Sequence, residues 1–95
     1  MIINQDKFVR EALAEYESPL IGYAFGFFQD VERARDVVQD TFIRLYQQDA
    51  EKIQHGLKTW LFTVCRNRAL DVLLKEKRIV GLVEEELAQV PAARR

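Results

Sequence analysis

Residues 57–78 read LKTWLFTVCRNRALDVLLKEKR, Leu57 to Arg78, and this stretch decides the architecture. Leu57, Leu61, Val64 and Val72 recur at helical intervals with Trp60 and Cys65 flanking them, which predicts a long helix with a broad apolar face against other helices. Arg66, Asn67, Lys75, Lys77 and Arg78 are left for water or a partner. The stretch holds six Lys or Arg against two acids, whereas residues 1–56 hold six against ten. The net charge of −1 thus conceals a polarised chain, acidic before position 57 and basic after it.

Upstream, three further amphipathic segments are expected. Asn4 or Asp6 can cap a first helix with Phe8, Ala12, Leu13 and Tyr16 on one side and Lys7, Arg10, Glu11 and Glu15 on the other; it reads as scaffolding. Ser18-Pro19 supplies a cap followed by a proline at a first helical position, predicting a restart or bend before Leu20 to Phe28. Gly22 and Gly26, four apart in that aromatic segment, suggest close helix approach rather than a ligand pocket. Asp30 is placed to cap a third helix in which Val31, Ala34, Val38, Thr41, Phe42 and Leu45 form the inner stripe. Its outer face carries Asp36, Gln39, Asp40, Ile43 and Arg44, and an exposed isoleucine among charges suggests a contact surface. Gln47 to Gly56 reads as a connection. After Arg78, IVGLVEEELAQV predicts a short helix with Leu82, Val83 and Leu87 inward, ended by Pro91. The whole predicts an all-α fold, a bundle of about four helices without a sheet.

At 95 residues the chain is one small domain with a modest core. It contains no apolar run near the roughly 20 residues of a membrane span. The opening MIINQDK lacks the basic head and apolar middle of a signal peptide, so a cytoplasmic location is expected. One cysteine, Cys65, and one histidine, His55, give neither a disulfide nor a recognisable metal set, and no cofactor is expected. No carboxylate pair, nucleophile motif or Gly-rich phosphate loop is present, which argues against an enzyme.

Trp60-Leu61 followed by Val64-Cys65-Arg66-Asn67 and Ala69-Leu70-Asp71 resembles the WL..(I/V)AxN..LD segment of bacterial sigma factors. Ala34-Arg35-Asp36-Val37-Val38-Gln39-Asp40-Thr41-Phe42 looks like their AEDLVQ(E/D)TF segment, at the spacing the family uses. The resemblance covers roughly Tyr16 to Arg78 and points to region 2 of a sigma-70-family factor of the extracytoplasmic-function (ECF) group. It implies a region 2 domain over residues 1–78, with 79–95 starting an interdomain linker or a short C-terminal helix. The family as a whole adds a region 4 after that linker, so the sequence is either a fragment or a reduced relative.

The resemblance further implies a transcription initiation factor that binds core RNA polymerase and recognises and melts the promoter minus-ten element. Asp36, Gln39, Asp40, Ile43 and Arg44 would meet the beta-prime clamp helices of the polymerase. Lys58, Arg66, Asn67, Lys75, Lys77 and Arg78 would hold the non-template minus-ten strand, and Lys52, Ile53 and His55 of the preceding loop would contribute to a flipped-base pocket. The group admits an anti-sigma factor as a further partner. Plainer readings stand beside these: His55 as a solvated loop residue, Cys65 as a core thiol rather than a sensor, Trp60 as core rather than a base-stacking platform, and Asn67 as a cap or brace for a neighbouring helix. Many relatives open the polymerase-facing segment with Asp-Ala-Glu-Asp, where this chain reads Arg33-Ala34-Arg35-Asp36, a reversal of two charges. The alternative is a helical protein-interaction domain that keeps this fold without promoter activity.

Overall fold

The computed structural model describes residues 4–84, with side chains through Glu76. Four α-helices run in order: α1 (Gln5–Phe28), α2 (Val31–Tyr46), a single turn α3 (Ala50–Ile53) and α4 (Leu57–Glu84). A 3-10 turn, Gln54–Gly56, joins α3 to α4. No strand occurs among the described residues, so the fold is all-α: α1 packs along α2, and α4 lies across both.

Asn4 is the cap of α1, its side-chain oxygen accepting the Lys7 backbone N–H at 3.0 Å. The helix then runs unbroken through Pro19, so the restart expected at Ser18-Pro19 does not occur. A proline inside a helix costs about 3 kcal/mol. Here Leu20, Ala24 and Phe28 continue the buried line begun by Val9 and Ala12, and burial of each large side chain returns about 1.5–3 kcal/mol. Packing against α2 therefore overrides the local signal. Gln29 ends α1 in the left-handed region at φ 57°, donating its backbone N–H to the Phe25 carbonyl and its side-chain amide to that of Gly26.

Gly22 and Gly26 do not support close helix approach. Both are exposed, and a Cβ added at either would meet nothing within 4 Å. They lie on the outer side of α1, where the sequence spacing alone gives no hint of which side is covered.

Asp30 caps α2 by accepting the Glu32 and Arg33 backbone N–H groups. The buried line is Ala34, Val37, Val38, Thr41, Phe42 and Leu45. Val31, expected in it, is exposed, and Val37 takes the inner place because α4 as well as α1 covers this helix. The far end of α2 is closed by a residue forty positions away: the Gln5 side-chain amide donates to the carbonyls of Tyr46 at 3.0 Å and Gln48 at 2.8 Å. The Tyr46 carbonyl is among the four a helix end leaves unpaired, and that of Gln48 lies two residues past the end. The expected connection after Gln47 holds a turn of helix, started by Asp49 accepting the Glu51 N–H at 3.0 Å.

The inner line of α4 is Leu61, Cys65 and Ala69, each at 0% exposure. Cys65 thus sits at the centre of the face rather than at its flank, and Val64 lies at the edge. The small side chains Cys65 and Ala69, four apart, let α4 settle onto both other helices. The Cys65 thiol lies against the Thr41 hydroxyl, which itself donates to the Val37 carbonyl at 2.9 Å. Burial pushes the Cys65 thiol up from its ordinary value, and the Thr41 hydrogen bond offsets part of that shift. The backbone of α4 continues past Arg78 to Glu84 without the break that a separate short helix would need; Leu87 and Pro91 lie outside the described residues.

Candidate functional site

The side of α2 away from α4 faces an open groove of about 900 Å³ shared with α1. Leu13, Ile21, Val38 and Phe42 line its apolar floor, and Glu17, Glu32, Arg35, Asp36, Gln39 and Ile43 stand around it. Ile43 is 53% exposed, an apolar side chain held at the water boundary between charged neighbours. Asp36, Gln39, Ile43 and Arg44 are all exposed. Helix α1, which reads as scaffolding from the sequence, supplies half of this surface. Only the pairing of α1 with α2 brings Leu13, Glu17 and Ile21 beside Asp36 and Ile43.

Asp40 stands apart from the other four. It is half-buried and turned toward α4, where its Oδ2 forms an ion pair with Arg68 Nε at 3.0 Å, and it accepts from Arg44 Nε of its own helix at 3.4 Å. Substituting Asp40 consequently alters the α2–α4 contact as well as the outer face. The two reversed charges divide in the same way. Arg33 is half-buried, pairs with Glu76 of α4 and lays its guanidinium 4.8 Å from the centre of the Phe28 ring. Arg35 alone remains on the groove side. The sequence places both arginines on one partner surface, whereas the fold takes Arg33 into its own seam.

On the other face, Lys52 closes the α3 turn, His55 sits in the 3-10 turn and Lys58 opens α4; all three are exposed. Ile53 differs, since it is half-buried and packs against the core. Arg66 and Asn67 are exposed next to one another, Arg66 Nη1 donating to Asn67 Oδ1 at 3.3 Å. Among the described residues that oxygen makes no hydrogen bond to another helix. Asn67 instead edges a polar hollow with Arg44, Val64, Arg68 and Asp71. Lys75 is exposed and pairs with Asp71 at 3.4 Å. Lys77 and Arg78 belong to the α4 backbone, and their side chains lie outside the described residues. Trp60 is half-buried against the core.

Arg68 is the residue that sequence reasoning missed. It pairs with Asp40 on α2 and with Asp71 on α4, both at 3.0 Å. An arginine two turns before a lysine and three residues before an aspartate is too common a pattern to have marked it; the partner on α2 is a tertiary fact.

The fold and its surfaces define a small helical module with an acidic-rimmed groove on one side and a basic helix on the other. The chain belongs to the family described as Sigma-70 region 2, whose model matches residues 13–79. It is also similar to the ECF RNA polymerase sigma factor SigM of Bacillus subtilis (strain 168), with 26% identity over 91 residues, covering 88% of this chain and 56% of that protein. The chain therefore spans little more than half the length of the curated relative it matches. No solved structure matches it. Among the described residues no helix is long and apolar enough to cross a membrane.

Proposed function

We propose that this chain acts in transcription initiation as sigma region 2, binding core RNA polymerase through the α1–α2 groove and holding the non-template minus-ten strand on α3 and α4. The observation that carries the reading is the division of the surface within the matched family region. Asp36, Gln39 and Ile43 border the groove, while Lys52, His55, Lys58, Arg66 and Asn67 are exposed on the elements from α3 onward. Acids and an amide around an exposed isoleucine suit a basic helical partner with a small apolar contact. Cations give affinity for phosphates, and the Asn67 amide can read a base edge. On this reading, residues 1–78 form the region 2 domain and 79–95 begin the linker or a C-terminal helix, the protein works in the cytoplasm, and an anti-sigma factor is a further partner.

Arg35 is the one observation that favours the interaction-domain alternative, because it puts a base where many relatives carry an acid. The deciding experiment is titration of core polymerase with and without a fluorescent non-template minus-ten oligonucleotide. Binding of core, and sequence-selective oligonucleotide binding by the complex, supports the proposal; failure of both overturns it.

A further inference from the structure

A chain of five partly exposed charged side chains runs along the edge of the seam between α2 and α4, beside the groove but not in it. Asp40 Oδ2 holds two cations at once, Arg44 Nε at 3.4 Å and Arg68 Nε at 3.0 Å. Asp71 Oδ2 likewise holds two, Arg68 Nη1 at 3.0 Å and Lys75 Nζ at 3.4 Å. Arg68 is the member common to both carboxylates, its guanidinium spread between two helices with one nitrogen on each. Each carboxylate oxygen is thus shared by competing cations, and a change at one end has a route to the other.

Resting on the proposed function, we propose that Arg68 is a positioning residue that couples polymerase binding to DNA binding. When a basic side chain of the polymerase takes up Asp40, Arg68 loses that acceptor and turns both of its nitrogens to Asp71. A guanidinium held by two parallel hydrogen bonds outcompetes a lysine ammonium, which is a point charge without that fork. Lys75 is thereby released to a phosphate. Because binding couplings are reciprocal, a DNA strand that draws Lys75 away from Asp71 also strengthens the hold of Arg68 there and opens Asp40 to the polymerase. All the members are partly exposed, so the coupling is a matter of a few-fold rather than orders of magnitude.

The relay can be triggered without polymerase. Asp40→Asn leaves the shape of the carboxylate but removes its charge, as an incoming cation would. In the full chain at low salt, Asp40→Asn is expected to tighten binding of a fluorescent single-stranded oligodeoxynucleotide by about two- to fivefold. The gain disappears in an Arg68→Gln or Lys75→Ala background. A gain of equal size in those backgrounds is general loss of negative charge and overturns the relay. A readout without DNA decides the same point: Asp40→Asn should speed acylation of Lys75 by an amine-reactive ester, followed by mass spectrometry, and Arg68→Gln should remove that acceleration. An unchanged Lys75 rate in Asp40→Asn, with melting showing both variants folded, overturns it as well. Arg68→Lys keeps the charge but cannot span both carboxylates, so it should behave as Arg68→Gln; full rescue by lysine contradicts the fork. Failure of the wild-type chain to bind core polymerase sinks the proposed function, whereas these two cycles judge Arg68 itself.

Discussion

The seam between α2 and α4 and the groove between α1 and α2 use the same residue types to opposite ends. In the seam, charges are consumed by the fold: Arg33 pairs with Glu76 over the Phe28 ring, and Asp40 pairs with Arg68. Along the groove, Arg35, Asp36, Gln39 and Ile43 stand open around an apolar floor. Arg33 and Arg35 are two positions apart in one helix and end on different sides of this division. A helical step of about 100° per residue carries i and i+2 onto nearly opposite faces. A charge is therefore partner-facing only after the neighbouring helices have been placed, and a charge reversal against relatives does not by itself announce a changed partner.

The largest expected effect tests the seam itself. Leu61→Ala should lower stability by about 2–5 kcal/mol and Phe42→Ala by a similar amount, read from thermal melts followed by circular dichroism. Leu61 is fully enclosed and Phe42 is 5% exposed, although Phe42 also lines the groove floor. Ile43→Ala, at the groove rim, should leave the melting curve within about 0.5 kcal/mol while weakening core binding. A melting loss for Ile43→Ala as large as that for Leu61→Ala would break the comparison.

Next come the outward glycines. With nothing within 4 Å of a Cβ at either site, Gly22→Ala and Gly26→Ala should each stabilise by about 0.5–1 kcal/mol. A combined rise in melting temperature of several degrees is the expected reading, and a fall would mean that α1 is covered there in solution.

Arg33→Glu and Arg35→Glu sharpen the division most directly. Arg33→Glu sets a carboxylate against Glu76 and strips the cation from Phe28, for an expected loss of about 1 kcal/mol. Arg35→Glu should leave stability nearly unchanged and alter only partner affinity, strengthening it if the partner surface is basic. Equal stability losses in the two variants would erase the contrast drawn between them.

The smallest effect at neutral pH belongs to Cys65. Its thiol pKa is raised in the folded chain by burial, so the folded state keeps a proton that the unfolded state releases. The stability it contributes is complete below the unfolded value of about 8.5 and is lost as pH rises from there through the folded value. Denaturant midpoints measured above pH 8.5 should fall more steeply for the wild-type chain than for Cys65→Ala. Parallel curves would show the thiol to be reachable by water.

Much of the fold was legible in the chain. A cap at Asn4 or Asp6, the cap Asp30, the stripe of α2 apart from Val31 and Val37, and the long helix beginning at Leu57 are local matters of hydrogen-bonding side chains and 3.6-residue spacing. Those terms act within a turn or two, so one sequence suffices to determine them, and the two motifs that lead to the sigma-70 family lie on them. The tertiary structure alone decided that α1 passes through Pro19, that Gly22 and Gly26 face outward, and that Gln5 closes the end of α2. It alone assigned Arg33 and Asp40 to the seam and gave Arg68 its second carboxylate. The physical reason is common to all of these: each depends on which residues a second helix brings within about 4 Å, and burial against that helix outweighs the local preference of a proline, a glycine or a charge.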